Sequence, residues 1–373
     1  MFQRQNRFEQ QRRAEIPMGP RPVERRATPE VAKPTFPEKC ELLISRYEKQ
    51  RPTIEEIAHH APRGLYTPAE IEQHLAYTQR LESKFRGVPQ TPEDVSILKR
   101  SQFAEAFLAT RIEDEGWFGE ECVVFVTTRH DDVGNGVDFV LEWQSGDEED
   151  VQHYQLAVDV TTATSRSILD GKSSAIADSI RGKAGGPRGP KYLSEVAYYR
   201  SPHTDEVQRL TFLPKVTVAL SPDQVDRAIH LVGAKQSMSQ AEQKEMVLPL
   251  IAETLAQLQE QVVMAIREVC NKYTAFLPLV GEKVATPFLQ ELAVIGEQLR
   301  HAAATGKAED LFAVYDAFTE LTDGPLREIP VPEAYKDSIF VVHALVPVTA
   351  RVHQAFLEQK KRFAQPRSLT KGK

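Results

Sequence analysis

The spacing of apolar residues along the chain changes twice. It is helical from about residue 38 to 114, alternates every second residue from about 121 to 162, and is helical again through most of the C-terminal third. In the first stretch "EKCELLISRYEKQ", "TIEEIAHHA" and "TPAEIEQHLAYTQRLESKF" predict short helices, the last opening at Thr67 ahead of Pro68 and Glu70. A longer helix opens at Thr91 and is predicted to reach about residue 114. "ECVVFVTT" (121 to 128), "GVDFVLEW" (136 to 143) and "HYQLAVDVTT" (153 to 162) predict three strands of a meander. A helical pattern at about 166 to 183, a Gly/Pro-rich loop "GKAGGPRGPKY" and a fourth strand "PKVTVALS" (214 to 221) follow. Ile251, Leu255, Leu258, Val262, Ile266 and Val269 form an amphipathic stripe, and similar patterns occupy about 286 to 304, 308 to 322 and 336 to 364. These helices either form a bundle or pack over the sheet.

Two aspartates interrupt the alternating strands. Alternation sets Val137, Phe139, Leu141 and Trp143 on one face of the second strand and Asp138, Val140 and Glu142 on the other. On the third strand Ala157, Asp159 and Thr161 share a face. Antiparallel pairing lets Asp138 and Asp159 point the same way, where two part-buried carboxylates repel unless a cation is shared. Hard divalent ions such as Mg2+ or Mn2+ favour such an oxygen site. The alternative is that the aspartates sit at strand ends, bonded to backbone groups or to Arg129. Two more charged residues fall on apolar stripes. Glu105 lies with Ile97, Ser101, Ala104, Leu108 and Ile112, and Lys172 lies with Leu169, Ile176 and Ile180. For these too a second reading is open: Glu105 reaches water at the edge of its stripe, or "DGKSS" is a turn at Gly171 with Lys172 exposed.

Composition narrows the class. The 373 residues, 41% hydrophobic and 27% charged, have ample material for a packed core. Cys40, Cys122 and Cys270 are far apart and form no CxxC pair, so neither a disulfide framework nor a thiolate zinc site is expected, and a reducing, cytoplasmic setting fits. The first residues lack the apolar run of a secretory signal, and the most apolar segment, "FVVHALVPV" (340 to 348), is short for a membrane span, so no membrane association is expected. No GxSxG or HExxH occurs, and "KAGGPRGPK" lacks the Walker lysine and hydroxyl. "RHDD" (129 to 132) reads as a turn after the first strand.

Charge is unevenly spread. The net charge is −7, but residues 101 to 160 carry two basic and fifteen acidic side chains, whereas 163 to 215 carry nine basic and five acidic. An acid-rich block followed by a basic one suits a metal centre beside a phosphate-facing surface. The acid block is equally explained in part by a solvated hairpin containing "DEED" (147 to 150). Residues 1–37, rich in Arg, Gln, Glu and Pro, read as a disordered basic arm, and 365–373 as a disordered tail. Between them lie short helices (38–90), a sheet-bearing segment (91–222) and a helical region (223–364).

The order helix, three strands, helix, strand between about 91 and 221, with Glu105, Asp138 and Asp159 on it, resembles the PD-(D/E)XK nuclease superfamily. The resemblance covers roughly a third of the chain. It implies an α/β, restriction-endonuclease-like αβββαβ core with a mixed sheet, and Mg2+- or Mn2+-assisted phosphodiester hydrolysis in DNA or RNA. By the same resemblance Asp138, Asp159 and Glu105 are the metal ligands. The triplet here is Asp159, Val160, Thr161, so the family's lysine is replaced by a threonine. Lys172 on the following helix is the substitute the resemblance offers, with Lys183 a second. Arg181, Lys183, Arg188 and Lys191 would then hold the nucleic-acid backbone, and the C-terminal helices offer a surface for a protein partner. Loss of the triplet lysine leaves open a catalytically inactive, nuclease-like scaffold, and a helical protein with an inserted meander is the third reading.

Overall fold

Helix starts follow local capping chemistry. In the computed structural model α1 (Glu38–Gln50) is followed by α2 (Ile54–His60), whose Thr53 and Glu56 form a capping box, and by α3 (Pro68–Arg86), where the Glu70 amide donates to the Thr67 hydroxyl. A second capping box, Thr91 with Asp94, starts α4 (Pro92–Glu115), and Gly116 ends it in the left-handed conformation at φ 60°. The structure describes residues 36–364 apart from 87–90, 147–150, 164, 183, 187–188, 192, 235–237 and 330–331. Nearly all of the expected basic arm, the tail 365–373, "DEED", Lys183 and Arg188 lie outside the described residues.

The meander forms as β1 (Cys122–Val126), β2 (Phe139–Ser145) and β3 (Gln152–Thr161). Between the first two, "RHDD" is no turn: it opens a short helix, α5 (Arg129–Asn135), capped by the Thr128 hydroxyl. After β3 comes α6 (Arg166–Ile180), which runs through Gly171 without a break, so the turn reading of "DGKSS" is overturned. The Gly/Pro-rich loop contains two short paired strands, β4 (Ala184–Gly186) and β5 (Gly189–Lys191). An unforeseen hairpin follows, β6 (Ser194–Arg200) and β7 (Val207–Leu213), and then β8 (Lys215–Ala219) and α7 (Pro222–Ala234).

The main sheet has the order β1-β2-β3-β8, antiparallel within the meander and parallel between β3 and β8, and is therefore mixed. One face carries Phe139, Leu141, Val158 and Val216 against Leu108 and Ile112 of α4. The opposite face carries Val140 and Ala157 under Val196, Tyr199, Leu210 and Leu213 of the β6–β7 hairpin. Each such apolar side chain contributes about 1.5–3 kcal/mol on burial. Val137 joins the hairpin side, against the alternation, because β2 begins only at Phe139.

The C-terminal region is helical: α8 (Gln240–Val280), α9 (Glu282–Thr305), α10 (Ala308–Asp323), a short 3-10 turn (Pro325–Glu328) and α11 (Glu333–Ala364). It packs both as a bundle and on the sheet. Gln257 of α8 bonds both the N–H and the C=O of Thr217 (3.0 and 2.8 Å), and Gln261 bonds the Lys215 carbonyl (2.8 Å). Those amides satisfy the open edge of β8, which would otherwise offer unpaired backbone groups. From Pro37 onward the chain packs as one unit. Within α11, Tyr335–Ala364 is by length and composition long and apolar enough to cross a membrane (mean hydropathy 1.3), beyond what the short segment 340 to 348 suggested. Here Val341, Val342, Leu345 and Val352 are buried, and the helix lies along α8.

Candidate active site

Asp138 precedes β2 by one residue. Its amide donates to the Val158 carbonyl (2.9 Å), one residue out of the Phe139–Val158 register, so the regular β2–β3 ladder ends there and Asp138 lies just beyond it. Its Oδ2 accepts the Val160 amide at 2.6 Å. The strand-end reading is thus right about the backbone bond but not about Arg129, which pairs instead with Glu82 (3.0 Å) and Asp132 (2.7 Å). Burial first, and then the charges of Asp132 and Asp159, push the Asp138 carboxyl up to about 7, with the Val160 amide and Arg51 opposing.

Asp159, on the same face as Ala157 and Thr161, meets two lysines. Lys172, half-buried on α6, places Nζ 2.5 Å from Oδ1, and Lys215, at the start of β8, places Nζ 3.6 Å from Oδ2. Parallel pairing of Ala157 with Lys215 brings the second lysine there. Gly136, at φ 63°, lets it in: a Cβ at that position would stand 3.1 Å from the Lys215 ammonium, which also donates to the Asn135 carbonyl (3.2 Å). Burial lowers the Lys215 pKa, Lys172 lowers it further, and Asp159 and Asp138 work against the shift. Thr161, in the triplet's lysine position, is buried, and its hydroxyl accepts the Ala163 amide (3.2 Å).

Glu105 is half-buried on α4, and its carboxylate makes no hydrogen bond among the described residues. Burial, then Asp138 and Asp132, raise its pKa well above the carboxylate range, and Arg51 pulls the other way. Arg51 follows α1. Its Nη1 donates to the Thr127 carbonyl (2.8 Å), it lies 3.4 Å from both Glu48 and Asp132, and its Nε and Nη2 make no hydrogen bond. Nearby, the Tyr47 hydroxyl donates to the Asp138 carbonyl (3.2 Å). Further along α4's own stripe Ile97 is exposed, not core, because the first turns of the helix run past the sheet.

The chain matches no family model, no curated protein and no solved structure.

Geometry therefore carries the description of this centre. Asp138 and Asp159 lie within reach of each other's charge, Lys172 bonds Asp159, and Glu105 senses the charge of Asp138. Among the described residues no three His, Cys, Asp or Glu side chains form a ready-made metal cluster. Of the basic residues expected to face a backbone, Arg181 caps α6 beside Asp178 (3.8 Å) and Lys191 ends β5, while Lys183 and Arg188 lie outside the described residues. Sequence reasoning missed Lys215, Arg51 and Asp132. Lys215 had a signal: in "KVTVA" it shares a strand face with Thr217 and Ala219, whereas the valines face the other way. Arg51 had none, since only tertiary packing brings the end of α1 to this place. A groove of about 750 Å³ lies elsewhere, between the Glu113–Glu121 turn and α11.

Proposed function

We propose that the protein is a divalent-metal-dependent nuclease built on a restriction-endonuclease-like αβββαβ core, α4-β1-β2-β3-α6-β8, with α5 and the two hairpins as additions. The observation that carries this reading is the nearness of Asp138 to Asp159 at the end of the β2–β3 ladder, where the charge of one is felt by the other, with two lysines on Asp159. The donor set is all oxygen and under-bonded: among the described residues Glu105 has no hydrogen bond and Asp138 has one backbone donor, and burial first, then repulsion from neighbouring carboxylates (Asp138 and Asp132 on Glu105, Asp132 and Asp159 on Asp138), raises both pKa values. A hard cation removes that repulsion, so the residues fit Mg2+ or Mn2+. Asp138, Asp159 and Glu105 would hold it. Once bound, such an ion activates water and offsets charge on a scissile phosphate.

The chain's own side chains do the rest. Lys215, whose pKa is lowered by burial, gives up its proton more readily than a surface lysine and accepts one from the attacking water. Lys172 stays beside Asp159 and neutralises charge gathering on the phosphate oxygens. Arg51 holds Asp132 and Glu48 in place behind Glu105. Arg181 and Lys191, with Lys183 and Arg188 of the same loop, bind the DNA or RNA backbone. The C-terminal helices beyond α8 offer a surface for a protein partner, and the setting is cytoplasmic. A catalytically inactive scaffold is the second reading, favoured by Thr161 in the triplet and by the absence of a preformed three-residue cluster among the described residues.

Incubating purified protein with DNA and RNA, single- and double-stranded, in Mg2+ or Mn2+ tests the two against each other. Wild type cleaves at least one substrate and Asp159→Ala does not. Equal products from both preparations, or none from either, leave the scaffold.

A further inference from the structure

Beside the carboxylates runs an open groove of about 620 Å³ between the first turns of α4, the β3–α6 loop and the start of α7. Ile97, Leu98 and Ile168 stand in it at 55%, 46% and 47% exposure, unusual for large aliphatic side chains. Ser101, Thr162 and Val225 complete the walls. The only charged residues lining it among those described are Arg100 and Asp94, and both are engaged. Arg100 bonds Asp226 (2.5 Å) and the Pro222 carbonyl (3.2 Å), and Asp94 caps α4 through Thr91. A phosphate therefore finds no free cation here. Thr161 also lines the groove and lies two residues beyond Asp159 on one strand face, about 6.6 Å along the strand. That is the scale of one nucleotide.

We propose that this groove takes an unpaired base of the strand whose phosphate lies at Asp159, so that the substrate is single-stranded; this rests on the nuclease reading of the site. In a duplex the base faces are stacked and hidden. A free strand can lay a base on Ile97, Leu98 and Ile168 while its backbone follows α6 past Lys172. Arg181 lies about 13 Å further along that helix, towards the basic loop. The walls are aliphatic with hydroxyls and hold no base-specific pair, so the groove selects strandedness rather than sequence.

The test compares binding of full-length protein, by fluorescence anisotropy in Mg2+, to a labelled strand of about 12 nucleotides, to its duplex, and to an abasic strand of equal length and charge. The intact single strand binds about tenfold or more tightly than either other form. Ile168→Asp and Leu98→Ser, each confirmed folded by thermal melting, reduce that preference to about twofold or less. Equal binding of abasic and intact strands, or an unchanged preference in the folded variants, overturns the proposal. So does a dimer seen by sedimentation that Ile168→Asp dissolves, which assigns the groove to a second copy of the chain. Cleavage read in parallel separates the two claims. Asp159-dependent cleavage that is equal on duplex and single strand sinks the groove assignment alone. A base preference without any cleavage sinks the hydrolytic reading alone.

Discussion

Two sets of carboxylates lie in the main sheet and the helices beside it and are treated oppositely. Asp131 and Glu142 are both wholly buried. Asp131 accepts the Ala197 and Tyr198 amides (2.7 and 3.2 Å), the Thr128 hydroxyl (2.8 Å) and the Asn135 amide (2.9 Å). Glu142 accepts from Tyr199 (2.6 Å), Ser201 (3.0 Å) and His153 (2.9 Å). Among the described residues Asp138 has one backbone donor and Glu105 none. A carboxylate saturated by protein donors is structural: Asp131 ties α5 to β6, and Glu142 ties β2 to the end of the hairpin. A carboxylate left short of donors, beside others of its kind, carries a cost that folding alone does not require. Asp131, Glu142 and Asp138 are buried and Glu105 is half-buried, so burial does not divide the sets. Hydrogen-bond supply is what separates them, and it assigns chemistry to the second.

The comparison breaks most sharply at Asp159. Its replacement by asparagine, whose carbonyl still accepts from Lys172, is expected to lower phosphodiester cleavage by about 10³-fold or more and to lower the melting temperature far less than the loss of Asp131 does, as single-turnover rates and calorimetry would show. Replacement of Asp131 by alanine has the opposite profile. It strands four donors in the interior, for a loss of about 3 kcal/mol of stability, read as a lower urea midpoint with no selective loss of activity per folded molecule.

Asp138 lies between these extremes and sharpens the contrast through pH. Its folded pKa is raised from 3.8 to about 7, so between those values the native chain keeps a proton that the unfolded chain has released. Stability attributable to this group therefore falls as pH rises through that window, and the penalty is complete above about 7. Asp138→Asn should gain on the order of 2 kcal/mol over wild type at pH 8, with the gain shrinking towards pH 4. Magnesium should stabilise wild type at pH 8 and the variant far less. Denaturant titrations at a series of pH values would check both. A variant no more stable than wild type at pH 8 would mean that Asp138 is satisfied after all.

Much of this arrangement was legible in the chain because it rests on local rules. Helix starts at Thr67 and Thr91 announced two helices, and alternation located the meander and the two aspartates that interrupt it. What escaped was set by tertiary context. Gly171 left a turn open within the helical pattern of 166 to 183, yet α6 carries it at the modest cost a glycine imposes on a helix. The β6–β7 hairpin escaped because its strands are bulged and bracketed by charged residues, so the period of two is interrupted where Val196 and Tyr199 nevertheless face the core. Arg51 and Asp132 come from segments whose own sequence points to solvent. Their place beside Glu105 follows from how α1 and α5 dock, which no periodicity encodes.

The smallest expected effect separates the two lysines on Asp159. Lys215 is the more deeply buried, with its side chain 15% exposed against 30% for Lys172, and burial lowers its pKa. A lysine in that state can exchange a proton with water, whereas a guanidinium cannot. Lys215→Arg preserves the charge and should cost about tenfold in cleavage. It should also remove the rise of rate with pH that is expected of wild type below the ordinary ammonium range. Lys172→Arg should keep that rise, because the charge beside Asp159 is all this position supplies. If both variants retain the pH profile, the proton goes elsewhere and Lys215 serves only to hold Asp159 against β8. If Lys172→Arg alone loses it, the roles of the two lysines are exchanged, and the base comes from α6 rather than from the strand.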